Sequence, residues 1–189
     1  MPRSQRGENL FSIYQAIFMN VIYCSAKLAK LLGIKSKAAQ ADGIAGTALG
    51  SWNAHLFYFD RKKFIIFMNK RSIYSVTICN YKKTDLLTLK LLFLKALKDQ
   101  CMYDGISIEE EQLRHHFSGF HFSLTDNDKS AIGSLNDLVY QAQASLAAGP
   151  PALQYLDDEA TVFNMNSAPY GPINYQSAAN VFAELLKST

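Results

Sequence analysis

The stretch from Gly50 to Asn80, GSWNAHLFYFDRKKFIIFMNKRSIYSVTICN, constrains the fold of this chain most. Aromatic and β-branched residues dominate 52–59, 64–68 and 73–79. The polar clusters Asp60-Arg61-Lys62-Lys63 and Asn69-Lys70-Arg71-Ser72 separate them. Runs of this length bounded by turn residues read as strands, so the stretch is a three-stranded meander over about 52–79. A four-residue loop at 60–63 sets Phe59 opposite Phe64, Phe57 opposite Ile66 and His55 opposite Met68. Because side chains alternate between faces, the other face holds Leu56 with Phe67 and Tyr58 with Ile65, continued by Tyr74, Val76 and Ile78. Phe64-Ile65-Ile66-Phe67-Met68 is apolar at every position, which fits a central strand covered on both sides.

A chain of 189 residues is one domain by the usual prior. Its hydrophobic fraction of 49% is enough for a packed core. The net charge of +3 is too small to imply nucleic acid by itself. Cys24, Cys79 and Cys101 are widely spaced, and an odd count without a C-x-x-C argues against a disulfide framework or a zinc site. That usage suits a reducing cytosol, so a cytoplasmic location is expected. No run approaches the ~20 apolar residues of a membrane span, and no cofactor or metal motif is present, so none is expected.

Within residues 1–18, Leu10, Phe11, Ile13, Tyr14, Ile17 and Phe18 recur at helical spacing. This part reads as an N-terminal extension or a docked helix, with self-association or partner binding through residues 8–18 as its other use. Met19 is an alternative start. The main domain is then 19–189. A first strand at 21–24 leads to a helix over 26–32, with Ser25 at its cap and Gly33 at its end. Residues 35–50 read as a loop without a phosphate-cradling glycine pattern. A helix over about 85–102 is apolar nearly all round, which predicts burial across the sheet. A helix from Ser107 carries His115 and His116, and a strand follows at 120–124. A further helix spans 131–147 and breaks at Gly149-Pro150-Pro151. Ser177 caps a last helix. The class is α+β, with a mainly antiparallel sheet packed by helices.

Four segments in order carry a resemblance: Leu28-Ala29-Lys30-Leu31-Leu32-Gly33, Leu49-Gly50-Ser51-Trp52-Asn53-Ala54-His55-Leu56, Asp60-Arg61-Lys62-Lys63 through Asn69, and Ile132-Gly133-Ser134-Leu135-Asn136-Asp137. Over about 19–188 the chain resembles an uncharacterised bacterial family catalogued as a domain of unknown function. Tyr175, Val181 and Leu185-Leu186 also fit. The chain has Asp128-Lys129 where the family pattern has Asn-Arg, so a role needing a guanidinium fork does not carry over. The resemblance implies a small bacterial α+β domain and no established activity.

Two candidate sites follow from the residues. The meander brings its first turn and the end of its third strand to one edge, so Arg61, Lys62 and Lys63 lie near Lys82 and Lys83, with Tyr81 between. Five cations at a rim suit a phosphate backbone; charged turns also serve solubility and edge protection. The second candidate is Asp126 and Asp128 with Asn136 and Asp137, two turns into the following helix. Clustered carboxylates suit a divalent cation, and Asp before a helix also serves as a cap. His55, His115, His116 and His121 show no metal-binding spacing, and no G-x-S-x-G is present. The expected function is a non-enzymatic binding module for nucleic acid, a phosphate-rich ligand or a protein partner. The alternative is a small hydrolase or nucleic-acid-processing enzyme using the acidic 126–137 region.

Overall fold

The structure, a computed structural model, describes residues 20–36, 49–84, 86–117, 121–148 and 164–188. The expectations for residues 1–18 and for most of the 35–50 loop lie outside the described residues. The described elements are β1 (Val21–Cys24), α1 (Ala26–Leu32), β2 (Trp52–Phe59), β3 (Lys62–Asn69), β4 (Ser75–Ile78), α2 (Leu86–Tyr103), α3 (Glu110–Phe117), β5 (His121–Leu124), α4 (Lys129–Ala148), β6 (Pro169–Tyr170), a 3-10 turn, β7 (Gln176–Ser177) and α5 (Ala178–Lys187). The class is α+β.

The five-stranded sheet has the order β4-β3-β2-β1-β5. The meander β2-β3-β4 is antiparallel, but β1 pairs parallel with both β2 and β5. The sheet is therefore mixed: mainly antiparallel, as expected, with parallel pairing on the β1 side. The cause is local: β1, α1 and β2 form a crossover unit, and a helix between two neighbouring strands brings them in parallel.

The first hairpin is tighter than expected. Its loop is Asp60-Arg61 alone, both at positive φ (43° and 61°), which is the signature of a type I′ turn. Phe59 thus lies opposite Lys62, Phe57 opposite Phe64, His55 opposite Ile66 and Leu56 opposite Ile65. The register is displaced by two residues from the sequence reading, and both faces keep their expected members because the side-chain period is two. The displacement moves Tyr58 from Ile65 to the solvent end, opposite Lys63, where it is 51% exposed. The second turn is built on Asn69, whose Oδ1 accepts from the Arg71 and Ser72 N–H groups and the Ser72 hydroxyl, while its Nδ2 donates to the Leu49 carbonyl.

Trp52 organises one face. It is fully buried, with its ring 5.2 Å from Phe93 of α2, 6.1 Å from Phe117 of α3 and 5.9 Å from Phe182 of α5. Phe67 meets Phe93 at 4.6 Å, and Tyr74 stacks on Phe182 at 4.2 Å. These three helices therefore cover the face of Trp52. The opposite face presents Phe57 stacked on Phe64, with Ile66 and Met68 also buried. There α4 packs against β2 through an inward side that includes Leu135, Leu138 and Ala142. Gly33 ends α1 at φ 73°, a left-handed cap that glycine adopts without a Cβ penalty. Ser25 stands at the cap position without a side-chain cap bond, whereas Ser177 Oγ accepts from the Asn180 N–H as expected.

Helix α2 departs from the all-round burial predicted for it. Leu89, Phe93, Ala96, Leu97 and Cys101 face the sheet, but Leu87, Leu91 and Met102 are exposed. The edge strand β4 is held by a side chain. Asn166 Oδ1 accepts from the Ser75 N–H at 2.8 Å and its Nδ2 donates to the Ser75 carbonyl at 3.0 Å. The amide thereby takes the place of a neighbouring strand and blunts the edge.

Candidate functional site

The first candidate sits where β3 leaves the type I′ turn. The Tyr81 N–H donates to the Lys63 carbonyl at 2.8 Å, so the chain beyond β4 stays beside β3 for one more bond. That bond places Lys82 and Lys83 next to the turn carrying Arg61, Lys62 and Lys63. Arg61, Lys62, Lys82 and Lys83 are exposed and Lys63 is half-buried. The ion pairs of the described residues are Lys70 with Asp126 and Asp128, and Lys95 with Asp99, so none of the five rim cations is neutralised by one.

Two aromatics at this rim differ from the sequence reading. Tyr81 is buried, its hydroxyl 3.4 Å from Thr84 Oγ1, and so offers no platform. Tyr58 is the exposed ring. It follows Trp52, Ala54 and Leu56 in the alternation, so it stands on the face that carries α2, next to Lys63. Sequence reasoning missed it because a four-residue loop would have drawn it inward. Beside the rim on the same face, a groove of about 510 Å³ runs between the 78–84 segment and α2, lined by Ile78, Asn80, Tyr81, Lys82, Thr88 and Leu92, among others.

The acidic candidate is arranged differently. Lys70, from the turn between β3 and β4, reaches Asp126 at 2.6 Å and Asp128 at 2.8 Å. Its ammonium lies 5.5 Å from the centroid of the Tyr23 ring, a cation–π placement. Asp128 Oδ1 also accepts from the Ala131 N–H and so caps α4. Asn136 and Asp137 are exposed, about 12 Å or more along the helix axis from Asp128 by helical rise. The four residues do not converge, and among the described residues no group of three His, Cys, Asp or Glu could hold a metal ion.

These contacts move the titrations. Burial alone would lower the Lys70 ammonium, but hydrogen bonds to Asp126 and Asp128 raise it above its ordinary value. The Asp128 carboxyl is lowered, first by the hydrogen bond from Lys70 and then by that from the Ala131 N–H. A carboxyl lowered in the folded state contributes stability above its unfolded pKa, and loses it as pH falls through the folded value. Replacing Asp128 by Asn should therefore flatten the fall of melting temperature with pH below about pH 4. At neutral pH the substitution should cost no more than about 1 kcal/mol from this part-exposed pair, because Asn caps a helix about as well as Asp. Parallel melting-temperature curves for the two proteins from pH 2 to 7 would contradict the assignment.

Other reactive groups are closed off. Cys24 and Cys101 are buried, and burial pushes each thiol up to about 12, which keeps the nucleophilic thiolate scarce. Burial also lowers His55 and His121, with smaller contributions from Lys27 and Lys90 respectively. His116 is buried and its backbone carbonyl accepts from Asn20 Nδ2. No helix of the described residues is long and apolar enough to cross a membrane.

A family model described as "Domain of unknown function (DUF6933)" matches residues 21–181. No curated protein and no solved structure matches the chain.

Proposed function

The chain belongs to the DUF6933 family, and from that premise we propose that it is a non-enzymatic binding module that holds a polyanion at the Arg61–Lys63 and Lys82–Lys83 rim. The observation that supports this reading is the Tyr81-to-Lys63 backbone bond, which brings two basic segments about twenty residues apart to one edge of the sheet, where none of their cations takes part in an ion pair among the described residues. Such a surface attracts phosphates without a strongly basic protein around it.

The turn adds support. Type I′ turns favour Asn-Gly because both central residues need positive φ. Here Arg61 holds φ 61°, a conformation that costs a residue with a Cβ about 1–2 kcal/mol. Retaining a guanidinium where glycine would be more stable fits a surface whose charge is used.

A salt titration with a fluorescent oligonucleotide tests the proposal. Binding should weaken steeply between about 50 and 200 mM salt, because each neutralised phosphate releases counterions. Lys62→Glu with Lys82→Glu should abolish binding and leave the melting temperature within a few degrees. Arg61→Gly should raise stability by about 1 kcal/mol while lowering affinity. No binding at low salt, or binding indifferent to the double reversal, would overturn the proposal.

A further inference from the structure

Resting on that reading, we infer that the polyanion is a single-stranded nucleic acid, with one base stacked on Tyr58 and the next lodged in the groove between the 78–84 segment and α2. The rim carries more than charge. Tyr58 is a half-exposed ring opposite Lys63. Lys63 in turn accepts the bond from Tyr81, a wall of the groove. Tyr58, Lys63 and Tyr81 thus occupy three adjacent chain positions across the sheet, and the ring and the groove stand about two interstrand spacings, roughly 10 Å, apart. A cation lies between two places where a flat, partly apolar group fits, which is the alternation of phosphate and base along an unpaired strand.

The groove has the matching chemistry. Ile78 and Leu92 give it apolar walls, Asn80, Thr84 and Thr88 give it polar ones, and Lys82 stands in its lining. Its volume of about 510 Å³ is in the range of small-ligand sites. A duplex keeps its base faces stacked and offers this surface phosphates alone, and inorganic polyphosphate has no base. Both would leave Tyr58 and the groove unused. Charge complementarity together with these two features selects an unpaired strand.

The test compares a twelve-residue oligothymidylate, a duplex of the same length, inorganic polyphosphate and ATP at low salt, using the full chain. The oligothymidylate should bind at least about tenfold more tightly than the others. Tyr58→Ala should remove that preference, Tyr58→Phe should keep it, and Thr88→Phe, which fills the groove, should weaken single-strand binding, each variant melting like the parent. Equal affinity for single strand and duplex, both lost on reversing Lys62 and Lys82, would overturn this inference and leave the rim reading standing. ATP binding as tightly as the oligomer would overturn it in favour of a free-nucleotide site. No binding of any probe would overturn both.

Discussion

Replacing Trp52 by Ala should cost about 4 kcal/mol and lower the melting temperature by about 8–16 °C. The ring is fully buried and meets aromatic side chains from α2, α3 and α5, so no single helix can move in to fill the space it leaves. Cavity cost grows when a site cannot collapse. Against a total stability of about 5–15 kcal/mol, the loss brings the domain near its unfolding threshold. Trp52→Phe should cost far less. The indole Nε1 is buried without a hydrogen-bond partner among the described residues, and removing an unsatisfied donor offsets part of the lost volume. Chemical denaturation of the three proteins measures this. A Trp52→Ala midpoint equal to the parent's would show that the three helices do not converge on this ring.

Asn166→Ala should be the second most damaging change, at about 3 kcal/mol. Asn166 is fully buried, and its amide serves four groups: the Ser75 N–H, hydroxyl and carbonyl, and the Asp104 carboxylate at 2.9 Å. Asp104 Oδ2 also accepts from the Tyr74 hydroxyl at 2.8 Å and Gln100 Nε2 at 3.0 Å. Truncation would strip the β4 edge of its partner and leave buried polar groups unpaired. Asn166→Asp should be worse at neutral pH, since it sets a second carboxylate against Asp104. The new carboxyl would have a folded pKa above its unfolded value. Its protonation therefore favours the folded state, and the defect should shrink as pH falls from 7 towards about 4. Denaturant midpoints for both variants at the two pH values decide it. A pH-independent Asn166→Asp defect would place Asp104 elsewhere in the network.

The exposed side of α2 shows where burial inferred from composition overreaches. Its leucines outnumber the positions that can face one sheet, and Leu87 and Leu91 stand outside while Phe93 and Leu97 pack inward. A helix with many apolar residues predicts an apolar surface, and which part meets the sheet depends on the rotation that Phe93 takes towards Trp52 and Phe67.

The sequence by itself determined the parts of this protein that depend on neighbours along the chain. The three strands of the meander (though not the bounds of the second and third), their two faces, the α1 end at Gly33 and the Ser177 cap all follow from residue patterning or from a single residue's backbone preference. The hydrophobic pattern left the register open, because a slip of two residues returns every side chain to the same face, and the structure's two-residue Asp60-Arg61 turn fixes it. That slip set Tyr58 beside Lys63. Tertiary structure also decided the parallel entry of β1, the Lys70 bridge to Asp126 and Asp128, and the Asn166 clip on Ser75. Lys70 and Asp126 are 56 residues apart and Ser75 and Asn166 are 91 apart. No local preference couples such pairs, since they meet only after the path of the whole chain brings them together.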